Sequence, residues 1–215
     1  MSTGERSRAD AATGNQHRRP GRPRSEASRR AILDAVSELV ATTTPASLRI
    51  ADIAQRAGVG KATIYRWWDS RAELLLEALR ESTVSTLAVP DDATTEQALA
   101  LQLSALQALL ADPQLGGLLI ALTVEAQDNA ETAADLRRIW LSPRRQSAAD
   151  LLRRGIERGE LRGDLDIEIA VDQLFAPLYH RAIYRYAEAD DNDAARLVHA
   201  FLHGAAAQRS VALGD

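Results

Sequence analysis

Lys61, Ala62, Thr63, Tyr65 and Arg66 gather an ammonium, a guanidinium, two hydroxyl-bearing side chains and one small side chain in a single short stretch. Those groups suit the outside of a nucleic-acid duplex. Hydroxyls and cations bond phosphate oxygens, a guanidinium can fork onto guanine, and a small residue lets the backbone approach base edges. At 100° per residue, Ile64 and Trp68 face inward together while Ala62 and Arg66 point away from them, flanked by Thr63 and Tyr65. The element that must position this face is the preceding helix, where Ile50, Ile53 and Ala54 share one side at i, i+3 and i+4. Gly58 is expected to end it in a left-handed turn, Val59 to plug the corner, and a second helix to run from Gly60 or Lys61 to Trp68. Taken alone, this pattern is equally an αα-hairpin with a solvated face.

The flanking residues change that balance. Ala54 to Leu79, AQRAGVGKATIYRWWDSRAELLLEAL, resembles the DNA-binding domain of the TetR family of transcriptional regulators, with matches at Ala54, Ala57, Gly58, Val59, Thr63, Ile64, Tyr65, Trp68, Leu75 and Leu79. The resemblance implies phosphate contacts from Thr63 and Tyr65, and base or backbone contacts from Lys61, Ala62 and Arg66. Three positions depart from the family pattern. Arg49 stands where a neutral cap usually opens the second helix, and it could still reach a phosphate. Trp67 replaces a His or basic residue and offers one N–H donor. Arg71 replaces a Lys at the start of the fourth helix, which keeps the charge and adds a fork.

The overall charge of −4 argues against a nucleic-acid binder until it is divided. Residues 1–72 carry 13 Lys+Arg against 7 Asp+Glu, whereas residues 73–215 carry 13 against 23. A basic first third joined to an acidic remainder fits a DNA-reading domain fused to a regulatory one, because the acidic part is repelled from the duplex and orients its approach. For the acidic part taken alone, a merely solvated surface is the simpler account. With 215 residues, 46% of them hydrophobic, the chain can bury a substantial core, and with no Cys it has neither disulfides nor thiolate chemistry. No run approaches the length of a membrane span and no signal-peptide pattern is visible, so the expected location is the cytoplasm.

Residues 1–24 are polar and Arg-rich, and a disordered basic arm is expected there. Around Pro20, Gly21 and Pro23 lie Arg18, Arg19, Arg22 and Arg24. Gly21, Arg22 and Pro23 are similar to the core of an AT-hook, although Pro20 occupies its first Arg position. Arg22 and Arg24 are therefore candidate minor-groove contacts, with an unspecific basic tail as the alternative. The expected DNA-binding domain is 25–72: a support helix from about Ser25 to Thr42, burying Ile32, Ala35, Val36 and Leu39, then the helix-turn-helix.

Residues 73–215 are expected to form a helical regulatory and dimerisation domain. Ser70 and Glu73 make a capping box for a fourth helix reaching about Leu87, and in the family that helix links the two halves. Beyond a linker at Val89 to Asp91, Thr94 and Gln97 open a helix that carries Leu99, Leu103, Leu106 and Leu110 on one face. Leu115 to Val124 follows, apolar nearly all round. The candidate cavity lining is Leu103, Leu106, Leu119, Leu122, Thr123 and Trp140, with Glu125 as a further polar contact, although for any one of these residues plain core packing is the simpler account. A helix over about 130–141 is expected to stop at Ser142, the cap of a new helix with Pro143 at its first position. On that new helix Arg144, Arg145, Arg153 and Arg154 are read as a solvated outer face. Two long helices close the chain, about 166–186 with a kink at Pro177 and about 192–209. The resemblance implies that they pair with a second subunit, with Leu174, Phe175, Leu178, Leu197, Phe201 and Ala205 as interface candidates. A monomer core is the competing explanation.

His199 and His203 have the i, i+4 spacing of a metal chelate, but neither the intervening Glu nor a third ligand is present, so surface or interface histidines are the reading. GKATIY lacks the strand and second glycine of a phosphate loop, and no serine sits in an elbow motif. The expectation is thus an all-α regulator without cofactor or metal. It binds operator DNA as a homodimer and is released when a small-molecule effector fills the C-terminal domain. An architectural protein or activator without a ligand is the alternative, and a helical ligand-binding or enzyme domain is a more distant one.

Overall fold

In a computed structural model, residues 26–83, 90, 92–185, 190 and 192–204 are described; they form helices joined by short turns, with no strand among them. The expected arm with Arg22 and Arg24, the end of the fourth helix beyond Thr83, and Ala205 lie outside these residues.

Helix α1 (Glu26–Val40) buries Ile32, Leu33, Ala35, Val36 and Val40, a stripe set by the 3.6-residue period. A short 3₁₀ turn at Pro45–Ser47 carries the chain to α2 (Ile50–Arg56), which buries Ile50, Ile53 and Ala54. Gly58 then takes φ +65°, the left-handed turn that an L side chain resists, and Val59 N–H closes back on the Ala54 carbonyl at 3.0 Å. Helix α3 (Lys61–Ile64) is shorter than the predicted span to Trp68. Beyond Ile64 the backbone tightens: Trp67 and Trp68 N–H both donate to the Ile64 carbonyl, at 2.8 and 3.1 Å. That tightening turns Trp68 into the core, where its indole N–H meets Glu77.

Helix α4 (Arg71–Thr83) buries Ala72, Leu74, Leu75, Leu76, Ala78 and Leu79, because it is covered by α1 on one side and by the second half of the chain on the other. Its predicted box is modified. Ser70 Oγ accepts from Glu73 N–H at 2.9 Å, but the Glu73 carboxylate reaches the backbone N–H of Asp69 instead of Ser70, at 2.7 Å.

Helix α5 (Thr95–Ala111) opens with the complete capping box of Thr94 and Gln97. It is the central rod of the second half, packed on α6 (Leu115–Asp128), α8 (Ser142–Glu157), α9 (Ile167–Tyr184) and α10 (Asp193–His203). Asn129 caps α7 (Ala130–Asp135), and here the structure departs from expectation. Ser142 is helical, at φ −60° and ψ −44°, and caps nothing; α7 runs through a π-turn at Leu136–Leu141 directly into α8. Pro143 has no N–H to return to the carbonyl four residues earlier, and widening the preceding turn absorbs that loss without breaking the rod. The widened turn carries Trp140, which is wholly buried, and sets Arg144 one turn beyond it.

No single described helix is long and apolar enough to cross a membrane.

Candidate nucleic-acid interface and effector pocket

The outward face of α3 is as the spacing predicted: Lys61, Ala62, Tyr65 and Arg66 are exposed, Thr63 is half-buried, and Ile64 is fully buried. Tyr65 keeps 52% of its surface in water although it is a large aromatic residue. Arg66 and Thr63 stand side by side, guanidinium to hydroxyl 3.5 Å. Around this face the cations divide into two groups. Arg29 is held by Glu77 and Glu81, Arg30 by Asp34 at 3.0 Å, and Arg56 by Glu38. Arg49, Lys61 and Arg66 have no acidic partner among the described residues. Arg49 holds the N-cap position of α2 with no side-chain bond to the helix, and is exposed. Around this face, the described cations left without an acidic partner are those on the surface that carries the hydroxyls.

Two predicted DNA contacts are placed elsewhere. Arg71 is turned inward: its Nε donates to the Leu48 carbonyl at 2.7 Å, one terminal nitrogen to the Pro45 carbonyl at 3.3 Å, and the other to Glu125 at 2.8 Å. The fork that distinguishes arginine from lysine is used to bind α4, the 3₁₀ turn and α6 together. Trp67 is half-buried and packs on the core, its ring centroid 6.2 Å from that of Trp68.

A second polar tie lies close by. Ser70 Oγ donates to the buried Asp135 carboxylate at 2.6 Å, and Arg138 bridges Asp135 at 2.7 Å and Glu73 at 3.0 Å. Glu125, read from the sequence as a cavity contact, instead receives Arg71 and the Thr132 hydroxyl, the latter at 2.9 Å. Both ties end on the elements leading into the π-turn.

Beyond that turn, α4, α5, α8 and α9 enclose a pocket of about 210 Å³. Of the predicted lining, Leu106 and Trp140 border it. Leu103, Leu119 and Leu122 are buried in the core, and Thr123 donates to the Leu119 carbonyl of its own helix at 2.8 Å. The apolar helix α6 was the predicted wall, but it packs away from this space, and α4 and α8 supply wall residues that the sequence did not suggest. Chief among them is Arg144. It was expected on the solvated face of its helix, but its guanidinium lies 3.3 Å over the Trp140 ring and donates to the Trp140 carbonyl at 3.3 Å and to Thr83 Oγ1 at 3.1 Å. Burial pushes its pKa down to about 10, with Tyr179 opposing and Arg80 adding to the depression, so it remains cationic at neutral pH. The other arginines of α8 behave as expected: Arg145 pairs with Glu168 and Asp172, and Arg153 with Asp150.

Among the interface candidates, Leu174 and Leu178 are 0% and 4% exposed and belong to the core of this chain, held there by α5. Phe175 is half-buried and borders the pocket, while Leu197 and Phe201 are half-buried against the core. What α9 turns outward is a different stripe, Ile169, Ala176, His180, Ile183 and Tyr184, the last 68% exposed. The rings of His199 and His203 are exposed with centroids 4.4 Å apart, and no group of three potential metal ligands occurs among the described residues.

A helix-turn-helix unit with an uncommitted basic and hydroxylated face, bonded to a larger helical body that holds a pocket, defines a two-part DNA-binding regulator. Residues 32–78 match the family described as bacterial regulatory proteins, tetR family, and residues 89–201 match the tetracyclin repressor-like C-terminal domain. The chain belongs to the TetR family of transcriptional regulators. It is 33% identical over 172 residues to YdeS, an HTH-type transcriptional regulator of Bacillus subtilis, covering 80% of this chain and 86% of that protein. Among solved structures, the TetR family regulator SCO0332 superposes with a TM-score of 0.73 at 34% identity, over 84% of this chain and 99% of the other. FadR from Bacillus subtilis, crystallised with stearoyl-CoA, shares the fold with a TM-score of 0.63 at 23% identity, over 82% of this chain and 99% of its own.

Proposed function

We propose that this regulator represses transcription as a homodimer on a palindromic operator and leaves it when a small molecule fills the pocket between α4, α5, α8 and α9. In this reading residues 1–24 form a basic arm, 25–72 the DNA-binding domain and 73–215 the regulatory domain, all working in the cytoplasm. The observation that carries it is the α3 face, where Lys61, Tyr65 and Arg66 are exposed beside Ala62 while neighbouring arginines are neutralised. Lys61, Thr63 and Tyr65 would grip phosphates, Ala62 and Arg66 would meet base edges, and Arg49 would reach a flanking phosphate. Arg22 and Arg24 would enter the adjacent minor groove.

Release requires the ligand to favour one arrangement of the two halves over another. The Ser70–Asp135 and Arg71–Glu125 bonds join the halves on the elements that lead into the π-turn, which carries Trp140 into the pocket wall. A ligand that moves Trp140 therefore acts on the anchorage of the DNA-reading helices. That FadR, of the same fold, holds stearoyl-CoA supports a small-molecule effector here. The outward stripe of α9 suits a two-fold partner, and two-fold symmetry would set the recognition helices about 34–36 Å apart, one turn of DNA.

Fluorescence anisotropy of the full chain on DNA flanking its own gene, against scrambled DNA over a salt series, tests this reading. Selective binding is expected. Equal, steeply salt-dependent binding to both would favour an architectural role, and absence of binding to either at low salt would overturn the operator assignment.

A further inference from the structure

Among the described residues, the pocket wall carries two arginines, Arg80 and Arg144, and no acidic one. Arg80 is loosely tied, 3.9 Å from a Glu77 that Arg29 already holds, while Arg144 has no acidic partner among the described residues. Tyr179 does not serve as the counter-ion of Arg144: burial pushes its phenol above its ordinary range, so it stays neutral, and its oxygen accepts from Trp140 Nε1 at 3.0 Å. A guanidinium withdrawn from water is costly unless a charge of opposite sign meets it, and among the described residues Arg144 meets a carbonyl, a hydroxyl and an aromatic face. The apolar part of the wall is formed chiefly by Leu106, Leu109, Phe175 and the Trp140 ring.

We propose that the pocket binds a small organic anion whose carboxylate sits on the Arg144 guanidinium while its apolar body lies against Leu106, Leu109 and Phe175. This rests on the reading of the pocket as the effector site and names the chemical class of the effector. A guanidinium offers a planar pair of N–H donors that matches a carboxylate. Gln102 and Ser147 stand at the same wall, their side chains joined at 2.8 Å, and supply further polar contacts. A cationic ligand is disfavoured on two grounds: it would face Arg80 and Arg144, and the Trp140 face that could receive it is already covered by Arg144.

The test titrates the full-length protein with straight-chain carboxylates from hexanoate to dodecanoate, with the primary alcohols of matching length, and with decyltrimethylammonium. Calorimetry and melting temperature read binding, and operator anisotropy reads release. At least a tenfold preference for carboxylate over alcohol is expected, with no binding of the ammonium. Arg144→Met, which keeps an unbranched apolar stem, should abolish the preference, and Arg144→Lys should restore part of it. The comparison in the wild-type chain needs no variant, so a poorly folded Arg144→Met leaves the test intact. Equal binding of carboxylate and alcohol, preference for the ammonium, binding of none of the probes, or a preference that survives in Arg144→Met would each overturn the proposal. Carboxylate binding through Arg144 without operator release would uphold the anion site and refute effector control. Operator release by alcohols and carboxylates alike would uphold effector control and refute the anion preference.

Discussion

Tyr65 is the clearest test at the scale of single residues. It is a large aromatic ring left in water one position from the fully buried Ile64, and nothing in the chain's own packing requires it there. Tyr65→Ala should weaken operator and non-operator DNA together, by about tenfold or ~1.4 kcal/mol in an anisotropy titration, because a phosphate contact carries no sequence information. Arg66→Ala should instead narrow the gap between operator and scrambled DNA. If both variants bind as the parent does, α3 is not the recognition helix. Asp193 gives a pH test of a different kind. Arg196 and then Arg181 hold its carboxyl down to about 2, from an ordinary value of 3.8, and burial opposes them. A depressed folded-state pKa adds stability that is present above the unfolded value and lost as pH falls. Thermal melts should show this contribution draining between about pH 4 and 2, and Asp193→Asn should flatten that part of the profile.

Among the elements, the continuous rod of α7, π-turn and α8 matters most. It carries Asp135 at one end of the widened turn and Trp140 and Arg144 at the other, so one segment touches both the DNA-binding half and the pocket. Ser70→Ala removes a hydroxyl that both caps α4 and donates to buried Asp135. Chemical denaturation should show a loss of about 1–3 kcal/mol, since a buried carboxylate loses a donor. The same variant should also reduce the effect of a pocket ligand on operator affinity, because one of the bonded links between the halves is gone. Unchanged coupling would remove this tie from the transmission route. The π-turn itself was hidden from sequence reasoning for a definite reason. Ser142 followed by Pro143 has the composition of a helix start, and a proline can occupy either a first turn or a widened turn within a longer helix. Which of the two forms depends on whether neighbouring helices hold the rod on both sides, as α4 and α6 do here.

For the whole molecule, the basic first third and acidic remainder predict steep salt dependence of DNA binding, with affinity falling by orders of magnitude between low and physiological salt. The assembly prediction concerns the outward stripe of α9. Ile183→Asp would place a charge on a surface exposed in the single chain, so the fold should hold while sedimentation shifts from dimer to monomer. Circular dichroism and analytical ultracentrifugation on the same sample separate the two effects. A dimer that survives this change would move the interface off α9.

The sequence alone determined the helices and the face of α3, because periodicity, capping residues and the turn at Gly58 are local properties written within a few residues of one another. It also carried the charge asymmetry and the family resemblance. Tertiary structure decided what each outward or inward direction meets. Arg71 and Arg144 belong to polar faces by composition, yet a long flexible cation can fold back on carbonyls or an aromatic ring supplied by residues distant in the chain or one turn away. Likewise Leu174 and Leu178 are apolar under any reading, and only the presence of α5 against them decides that they fill this chain's core and leave Ile183 and Tyr184 on its surface. Patterning reports which residues avoid water; the partner that relieves them is a property of the packed molecule.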